Sequence, residues 1–301
     1  MPVLGTQAVE LRRSARLAEL RDGLARRQPE LPARYLWAVG TATWREQVRT
    51  LPEPWLGEVE CALLASMPTH RARTIVHLLP KLSGGTRDSL APLIEPGSVE
   101  RYVQLDHPLQ LTTALPLPPH LPHPRLIACL GNALGSTSTI GAVRLLRAVR
   151  AAMRIGDRLV LGLDLRADGV ELERAHNDEG GALAAYCLSV MSAVNDELGT
   201  DFDVTRFRFQ ARYVSQLRRV EMLLVATKSH NVMVDGCPHA FRKGDSILVA
   251  VNLSFTRSML EGMFTGVGLE IVEWRSDGDQ RFAVVTAAVS TGNGCDAPDD
   301  R

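Results

Sequence analysis

Four short apolar runs constrain the fold most, because each has the length and composition of one buried strand. They are TIVHLL (74–79), RYVQLD (101–106), LIACL (126–130) and LVLGL (159–163). Between the last two, residues 139–153 repeat apolar side chains at helical spacing. Strand, helix and strand in this order predict βαβ units, whose parallel strands join in one sheet.

A second region has a different pattern. From residue 208 to residue 253 the runs FQARYV, RRVEMLLVAT, HNVMVDG and SILVAVNLSF are separated by turn residues, which predicts several neighbouring strands. Two further strands, LEIVEWRS and RFAVVTAAVS, follow near the end of the chain. Helical spacing predicts the remaining elements: helices at residues 8–29, 58–70, 178–198 and 256–267, and one that begins at about Asp88.

Charge and cysteine content exclude several classes of protein. Lys plus Arg and Asp plus Glu both number 34, so no net field favours nucleic acid or an anionic membrane. The five cysteines lie far apart without a C-x-x-C pair, so neither a disulfide framework nor a metal site is predicted. The first residues lack the apolar segment of a signal peptide, and we expect a cytoplasmic protein.

Several strings, taken in order, resemble the histidine-specific SAM-dependent methyltransferases, where SAM is S-adenosylmethionine. ELPARYLW and RTLPEPW are similar to that family's ELPPKWFY and TRLPEYY, and RLIACLGNALGS is similar to its RLVAFLGSTIGN. GDRLVLGLDL, NDELGTDFD and VEMLL have counterparts in the same order. The resemblance runs from about residue 30 to residue 290, which is nearly the whole chain.

The resemblance implies a fold and a division into domains. The expected fold class is α/β, with a Rossmann-like class I methyltransferase core whose parallel-rich sheet is shortened, and a second α+β substrate domain. The core is expected to comprise residues 62–166 and 253–290, and the substrate-binding domain residues 8–61 and 167–252. Residues 291–301 are expected to form a disordered tail.

The expected cofactor loop departs from the family pattern. The family string TLVELGSGTSEKT aligns with TIVHLLPKLSGGT, so the acidic residue becomes His77, the first glycine Leu79 and the second Lys81. Glycines let the backbone turn sharply and approach a ligand closely, which leucine and lysine side chains hinder. Gly84 and Gly85 follow, and one alternative is that they form a variant SAM loop.

A second departure lies between the second and third runs. Asp106 could still meet a ribose, but the family then has a helix and a further strand before its LVAFLG strand, whose counterpart here ends at Gly131. This chain has only residues 107–124 at that place, and six of them are prolines. The segment is therefore too short and too rigid to form both a helix and a strand. If SAM is used at all, the cofactor-binding residues expected from the resemblance are His77, Gly84, Gly85, Asp106 and Gly131.

The resemblance also carries over the substrate side, residue by residue. Ser136 stands where the family has an asparagine and His176 where it has a tyrosine, while Ala250 and Asn252 replace a glutamate and a serine. Losing the carboxylate at Ala250 implies a substrate with a different head group. The substrate-binding residues expected are Trp37, Trp55, Asn132, Ser136, Met222 and Asn252.

These departures favour a SAM-independent enzyme on a methyltransferase scaffold, similar to the aziridine-forming branch of natural-product biosynthesis. An amine of an amino-acid-derived intermediate would displace an anion within its own molecule, with His176 as the base and Lys81 and Arg87 stabilising the leaving group. No cofactor is expected in this interpretation. The alternatives are a SAM-dependent amino-acid N-methyltransferase and a non-catalytic scaffold for a partner enzyme.

A protein partner is a further hypothesis. Six arginines crowd the first predicted helix of a neutral chain: Arg12, Arg13, Arg16, Arg21, Arg26 and Arg27. Such a basic face would attract a small acidic carrier protein that delivers the substrate. The alternative is an ordinary solvated helix.

Overall fold

The computed structural model describes residues 3–32, 34–39, 54–79, 88–105 and 114–291. The chain divides into two compact units. One consists of Met1–Pro54 and Ala167–Leu253, the other of Trp55–Arg166 and Ser254–Arg301. The second unit holds the predicted α/β core and the first the predicted substrate domain, with one boundary at Pro54 instead of residue 61. Helix α3 (Pro54–Ser66) belongs to the core unit because its Leu64 packs into that unit's hydrophobic cluster.

The core unit contains all four apolar runs as strands. They are β1 (Thr74–Leu78), β2 (Arg101–Leu105), β3 (Arg125–Cys129) and β4 (Arg158–Asp164), and the chain returns at its end as β10 (Leu269–Ser276) and β11 (Phe282–Val289). In the described residues these six form one sheet in the order β10-β11-β4-β3-β1-β2. Neighbours from β4 to β2 are parallel, whereas β11 runs antiparallel to both β4 and β10. The parallel-rich α/β sheet is therefore confirmed.

Burial explains why these runs form strands without alternating polar residues. Strands β1 and β11 are buried along their whole length, as strands covered on both faces of a sheet must be, although β1 is a parallel strand and β11 an antiparallel one. Helix α4 (Thr139–Ala152) connects β3 to β4, and Ser138 caps its first turn by accepting a hydrogen bond from the Gly141 N–H. The apolar stripe of α4, with Leu145 and Val149 among its members, is buried.

The predicted helix at Asp88 is wrong in kind. Residues Asp88–Leu93 form a short 3-10 helix, since the ring of Pro92 would clash with the carbonyl four residues earlier in an α-helix. Within the described residues, the next strand after β2 is β3. Helix α7 (Arg257–Thr265) agrees with the predicted helix at 256–267.

The other unit packs helices on an antiparallel sheet. Strands β5 (Phe207–Val214), β6 (Arg219–Ala226) and β9 (Ser246–Leu253) form the sheet in the order β5-β6-β9. Strands β7 (His230–Val234) and β8 (Cys237–Phe241) form a separate hairpin. Its turn, Asp235–Gly236, has both residues at positive φ, as a two-residue hairpin turn requires.

The helices of this unit differ in extent from their predictions. Helix α1 spans Val3–Leu24 and α2 spans Arg34–Val39. The predicted helix at 178–198 is α6 (Ala182–Leu198), which ends at Gly199 in the left-handed conformation. A separate helix, α5 (Gly169–His176), precedes it because Asp168 caps a new first turn. Helices α1 and α6 contribute buried side chains to one cluster with the sheet.

Candidate functional site

The strand order indicates where a ligand would bind in the core unit. Strand β1 lies between β2 and β3, so the chain leaves β1 toward one side of the sheet and later adds β3 and β4 on the other. In open α/β sheets, ligands bind outside the carboxyl ends of the strands at this reversal of order. The turns that follow β1 and β3 therefore border the candidate site.

The turn after β1 keeps a glycine-like backbone although its residue is leucine. Leu79 has φ 53°, in the left-handed region, and its N–H donates to the Leu105 carbonyl at 2.8 Å. A residue with a Cβ holds this conformation at a cost of about 1–2 kcal/mol, and such strain collects at functional sites. Leu79 is buried. The residue type has changed, but the left-handed turn remains.

His77, which stands at the position of the family's acidic residue, lies inside the sheet. It is fully buried on β1, and its Nδ1 lies 3.0 Å from the hydroxyl oxygen of Tyr102 on β2. The two rings meet edge to face with centroids 6.4 Å apart. These contacts make His77 part of the packing between β1 and β2.

The turn after β3 is held by several hydrogen bonds. Gly131 and Asn132 are both left-handed, with φ 60° and 55°. The Asn132 N–H donates to the Gly162 carbonyl at 3.1 Å, and the Asn132 Oδ1 accepts from the Asp164 N–H at 3.1 Å. Ser136, in the short 3-10 helix that follows, donates its hydroxyl to the Ala133 carbonyl at 2.7 Å. Asn132 therefore braces the ends of β3 and β4 against each other.

Glu60 on α3 is a site residue that the sequence analysis missed. Its Oε1 accepts a hydrogen bond from the Gly131 N–H at 2.7 Å. Burial raises the pKa of Glu60 to about 7, and the Gly131 hydrogen bond opposes that rise. A signal was available, because Glu60 lies four residues after Leu56 and four before Leu64, on the apolar stripe of the helix.

A buried ion pair at the end of β4 was also missed. Asp164 accepts hydrogen bonds from the Arg166 guanidinium, with the shortest contact at 2.6 Å between Nη2 and Oδ2. Both side chains are 2% exposed. The Asp164 carbonyl accepts from the Phe255 N–H at 2.8 Å, which ties β4 to the segment before α7.

In the other unit the structure brings two predicted residues together. The Nδ1 of His176 lies 2.8 Å from the Leu172 carbonyl, and its Nε2 lies 3.2 Å from the Asn252 amide nitrogen. Because that amide nitrogen can only donate, Nε2 accepts and Nδ1 carries the proton. As a base, His176 would have to exchange the Asn252 contact for a proton from the substrate. Its catalytic role stays a prediction.

The remaining predicted residues fall into three groups. Met222 on β6 pairs with Ala250 on β9 and packs against the hydrophobic cluster of its unit. Trp37 and Trp55 lie on α2 and α3, but their side chains are outside the described part of the structure. Five residues lie outside the described ranges altogether: Lys81, Gly84, Gly85, Arg87 and Asp106.

The arginines of α1 mostly have partners within their own unit. Arg13 donates to the Leu198 carbonyl at 2.7 Å, and Arg21 pairs with Asp235 at 3.1 Å. Arg16 pairs with Glu197, and Arg26, just after the helix, pairs with Glu30. These pairs neutralise much of the basic face, and docking of an acidic carrier protein stays a prediction.

Metal-binding clusters and membrane-spanning helices are two further features that the described residues can be examined for. Within the ranges that the structure describes, no three His, Cys, Asp or Glu residues lie close enough together to hold a metal ion. Among the described helices, none combines the length and apolarity needed to span a bilayer.

Comparison with known proteins identifies the family. The family model described as "Histidine-specific methyltransferase, SAM-dependent" matches residues 97–289. The histidine N-alpha-methyltransferase of Mycobacterium tuberculosis (strain CDC 1551 / Oshkosh) is 28% identical over 297 residues, covering 89% of this chain and 92% of the relative. That of Mycolicibacterium smegmatis is 26% identical over 291 residues, covering 86% and 90%.

Solved structures resemble the chain more distantly. The 1,6-didemethyltoxoflavin-N1-methyltransferase of Burkholderia thailandensis is 10% identical, covers 85% of this chain and 88% of its own, and has a TM-score of 0.41. The CcbJ methyltransferase of Streptomyces caelestis is 13% identical, covers 78% and 96%, and has a TM-score of 0.38.

The comparisons correct the main functional interpretation. The prediction of a SAM-independent, ring-closing enzyme without a cofactor is wrong, because the matching family model is SAM-dependent and both relatives are named as methyltransferases. These findings favour the alternative, a SAM-dependent N-methyltransferase. Leu79 and Lys81 at two glycine positions of the family string are therefore not sufficient evidence that SAM is lost. The chain belongs to the family of histidine-specific, SAM-dependent methyltransferases.

Proposed function

We propose that the protein transfers methyl groups from SAM to the α-amino group of histidine or of a related amino acid. The observation that carries the proposal is the match of residues 97–289 to a family model of this description. It is supported by two relatives named histidine N-alpha-methyltransferase, which align over most of both chains.

The described backbone fits a cofactor at the reversal of strand order. SAM, when bound, supplies a methyl group attached to a positively charged sulfur, which a neutral amine can attack. Leu79 and Gly131 both have positive φ, the conformation in which a backbone can turn sharply beside a ligand. Gly131 has no side chain to obstruct that approach. These residues would border the cofactor.

The substrate is expected to meet the unit that contains His176, Met222 and Asn252. The neutral imidazole of His176 offers its Nε2 as an acceptor for a proton or for an ammonium N–H, once Asn252 turns away. Asn252 can donate to a carboxylate, which every free amino acid has. An amine attacks carbon only without its proton, so His176 would act as a general base that takes this proton on its Nε2 and becomes an imidazolium.

A second candidate substrate is an amino acid without an imidazole. Ala250 lies on β9, opposite Met222, and stands where the resembling family has a glutamate. Without that carboxylate, this part of the pocket cannot form a charge-assisted hydrogen bond to an imidazole. The variant Ala250→Glu separates the two candidates. It should raise activity on histidine if histidine is a poor substrate of the natural chain.

The test is a methyl-transfer assay on the purified protein. It would be incubated with SAM and each of the common amino acids, and the products would be read by mass spectrometry as mono-, di- or trimethylated amino acid and S-adenosylhomocysteine. We expect one amino acid to gain methyl groups on its α-nitrogen. Asn252→Ala should lower turnover, whereas Asn231→Ala, on an exposed position of β7, serves as the matched control. Absence of methylated product with every amino acid would contradict the proposal.

A further inference from the structure

The position of Glu60 in the core unit is unusual for a carboxylate. It is 6% exposed, on a helix whose other inward residues are apolar, and Leu64, one turn later, is 1% exposed. Carboxylates are almost never fully buried unless they are paired. Burial of the Glu60 carboxyl group therefore costs free energy, which its contacts must offset in part.

Its contacts converge on the carboxyl edge of the sheet. The Oε1 of Glu60 accepts from the Gly131 N–H at 2.7 Å, at the first left-handed residue after β3. Gly162 on β4 lies directly against the same carboxyl group, and a Cβ at that position would overlap the Glu60 Oε1. The same Cβ would lie 3.1 Å from the Gly131 nitrogen. The backbones of Gly131, after β3, and Gly162, on β4, thus leave room for the Glu60 carboxyl group.

The electrostatic surroundings of Glu60 are sparse. Burial and the Gly131 hydrogen bond are what change its pKa, which reaches about 7. The nearby titratable group on β3 is the thiol of Cys129, whose pKa is raised to about 12 by burial first and by the charge of Glu60 second. That thiol keeps its proton near neutrality. The protonation of Glu60 therefore changes near physiological pH, while its neighbour stays neutral.

We propose that Glu60 is a positioning residue that fixes the turn after β3. Loss of its proton tightens that turn, and gain of the proton loosens it. An ionised carboxylate accepts a stronger hydrogen bond from the Gly131 N–H than a protonated carboxyl does. Glu60 needs no contact with substrate or cofactor for this role. It acts through the backbone of Gly131 and Asn132, which border the crevice.

The consequence for activity rests on the proposed function. If the turn borders the SAM site, the ionised form of Glu60 favours binding, and the KM for SAM should fall as pH rises through the pKa of Glu60. Glu60→Gln keeps an acceptor oxygen but cannot ionise. It should raise the KM for SAM above neutral pH by roughly 2- to 10-fold, the range that corresponds to one hydrogen bond, with a smaller change in kcat.

The direct experiment does not need activity. Selective glycine labelling with 15N makes the Gly131 amide visible by NMR, and its chemical shift is followed from about pH 5 to about pH 9, a range centred on the raised pKa of Glu60. We expect the Gly131 signal to titrate with a midpoint near 7 in the natural chain and to stay constant in Glu60→Gln. The matched control is Glu58→Gln, on the exposed side of the same helix, which should leave the titration unchanged.

Two outcomes would overturn the proposal. One is a Gly131 signal that does not titrate in the natural chain, and the other is the same titration in Glu60→Gln. Glu60→Asp covers the case in which the glutamine variant fails to fold. Its shorter carboxyl cannot reach Gly131, so the titration at Gly131 should be lost, and its retention would count against Glu60. A natural chain that binds no SAM would defeat the proposed function and leave this test intact.

Discussion

Leu79 after β1 and Gly131 after β3 both have a left-handed backbone, but the two residues are held in different ways. Leu79 and Gly131 have φ 53° and 60°, so both enter the left-handed region at the crevice. The turn after β3 uses glycine and asparagine, the residues that adopt this conformation most easily, and it is tied to α3 and β4 by hydrogen bonds. The turn after β1 uses a leucine, whose side chain is buried. Leu79 therefore has a backbone conformation that glycine adopts more easily.

This difference explains where the sequence argument was wrong. Leucine at a glycine position was interpreted as loss of the cofactor turn, because side chains with a Cβ disfavour positive φ. The backbone at Leu79 nevertheless takes that conformation, and its N–H is bonded to Leu105 of the neighbouring strand. Surrounding structure can impose a conformation that local residue preference opposes. Residue type alone cannot show whether such a turn is kept.

The largest expected effect concerns the end of β4, which supports the turn after β3. Arg166→Met leaves Asp164 as a buried charge without its ion partner, which should lower the free energy of unfolding by about 3–5 kcal/mol. The equivalent change in an exposed pair, Arg206→Met beside Asp203, should cost at most about 1 kcal/mol. Urea unfolding of the two variants measures both. Equal losses would mean that burial of the Asp164 pair has no special effect.

A pH effect on stability should arise from Glu60 beside the same turn. Because the pKa of Glu60 is raised in the folded state to about 7, the folded chain binds more protons than the unfolded chain between about pH 4.5 and pH 7. The contribution of Glu60 is therefore present at low pH and is lost as pH rises, with an upper bound of about 3 kcal/mol.

The measurement is the difference in unfolding free energy between the natural chain and Glu60→Gln, taken across this pH range. The histidines titrate in both proteins and cancel in that difference. The natural chain should lose stability relative to the variant as pH rises. A difference that is constant with pH would show that the pKa of Glu60 is not raised in the folded chain.

The smallest effect sharpens the comparison of the two turns. Leu79→Gly and Leu79→Ala both remove the buried side chain, so their difference isolates the backbone. At a left-handed residue glycine should be the more stable of the two by about 1 kcal/mol, the reverse of the usual order. Thermal unfolding compares them. An alanine variant as stable as the glycine variant would show that Leu79 is not strained.

Much of the core could be predicted from the sequence, because its strands are continuous apolar runs that have no other way to be buried. All four runs are strands in the structure, within one residue of their predicted bounds at each end. Pro92 explains the one element that differs in kind, a 3-10 helix at Asp88–Leu93. Pro92 is the feature of the sequence that argues against an α-helix at this place.

The site could be predicted only where a family string marked it. Asn132 and Asn252 were predicted in this way to bind the substrate, which stays a prediction, and the structure shows a hydrogen bond of each side chain. Glu60 was missed because its partner, Gly131, is 71 residues away in the chain. The spacing within its helix shows that Glu60 faces inward, but the backbone N–H that it meets depends on how α3 packs on the sheet.

We propose that SAM binds at the reversal of strand order although Leu79 stands after β1 where the resembling family has a glycine. Isothermal titration calorimetry of the natural chain with S-adenosylhomocysteine, the product form of the cofactor, tests it most directly. We expect saturable binding of one molecule per chain, with a dissociation constant in roughly the micromolar range. Folded protein that shows no saturable binding would contradict this expectation, and a Leu79→Gly variant that gains binding would show that the leucine closes the site.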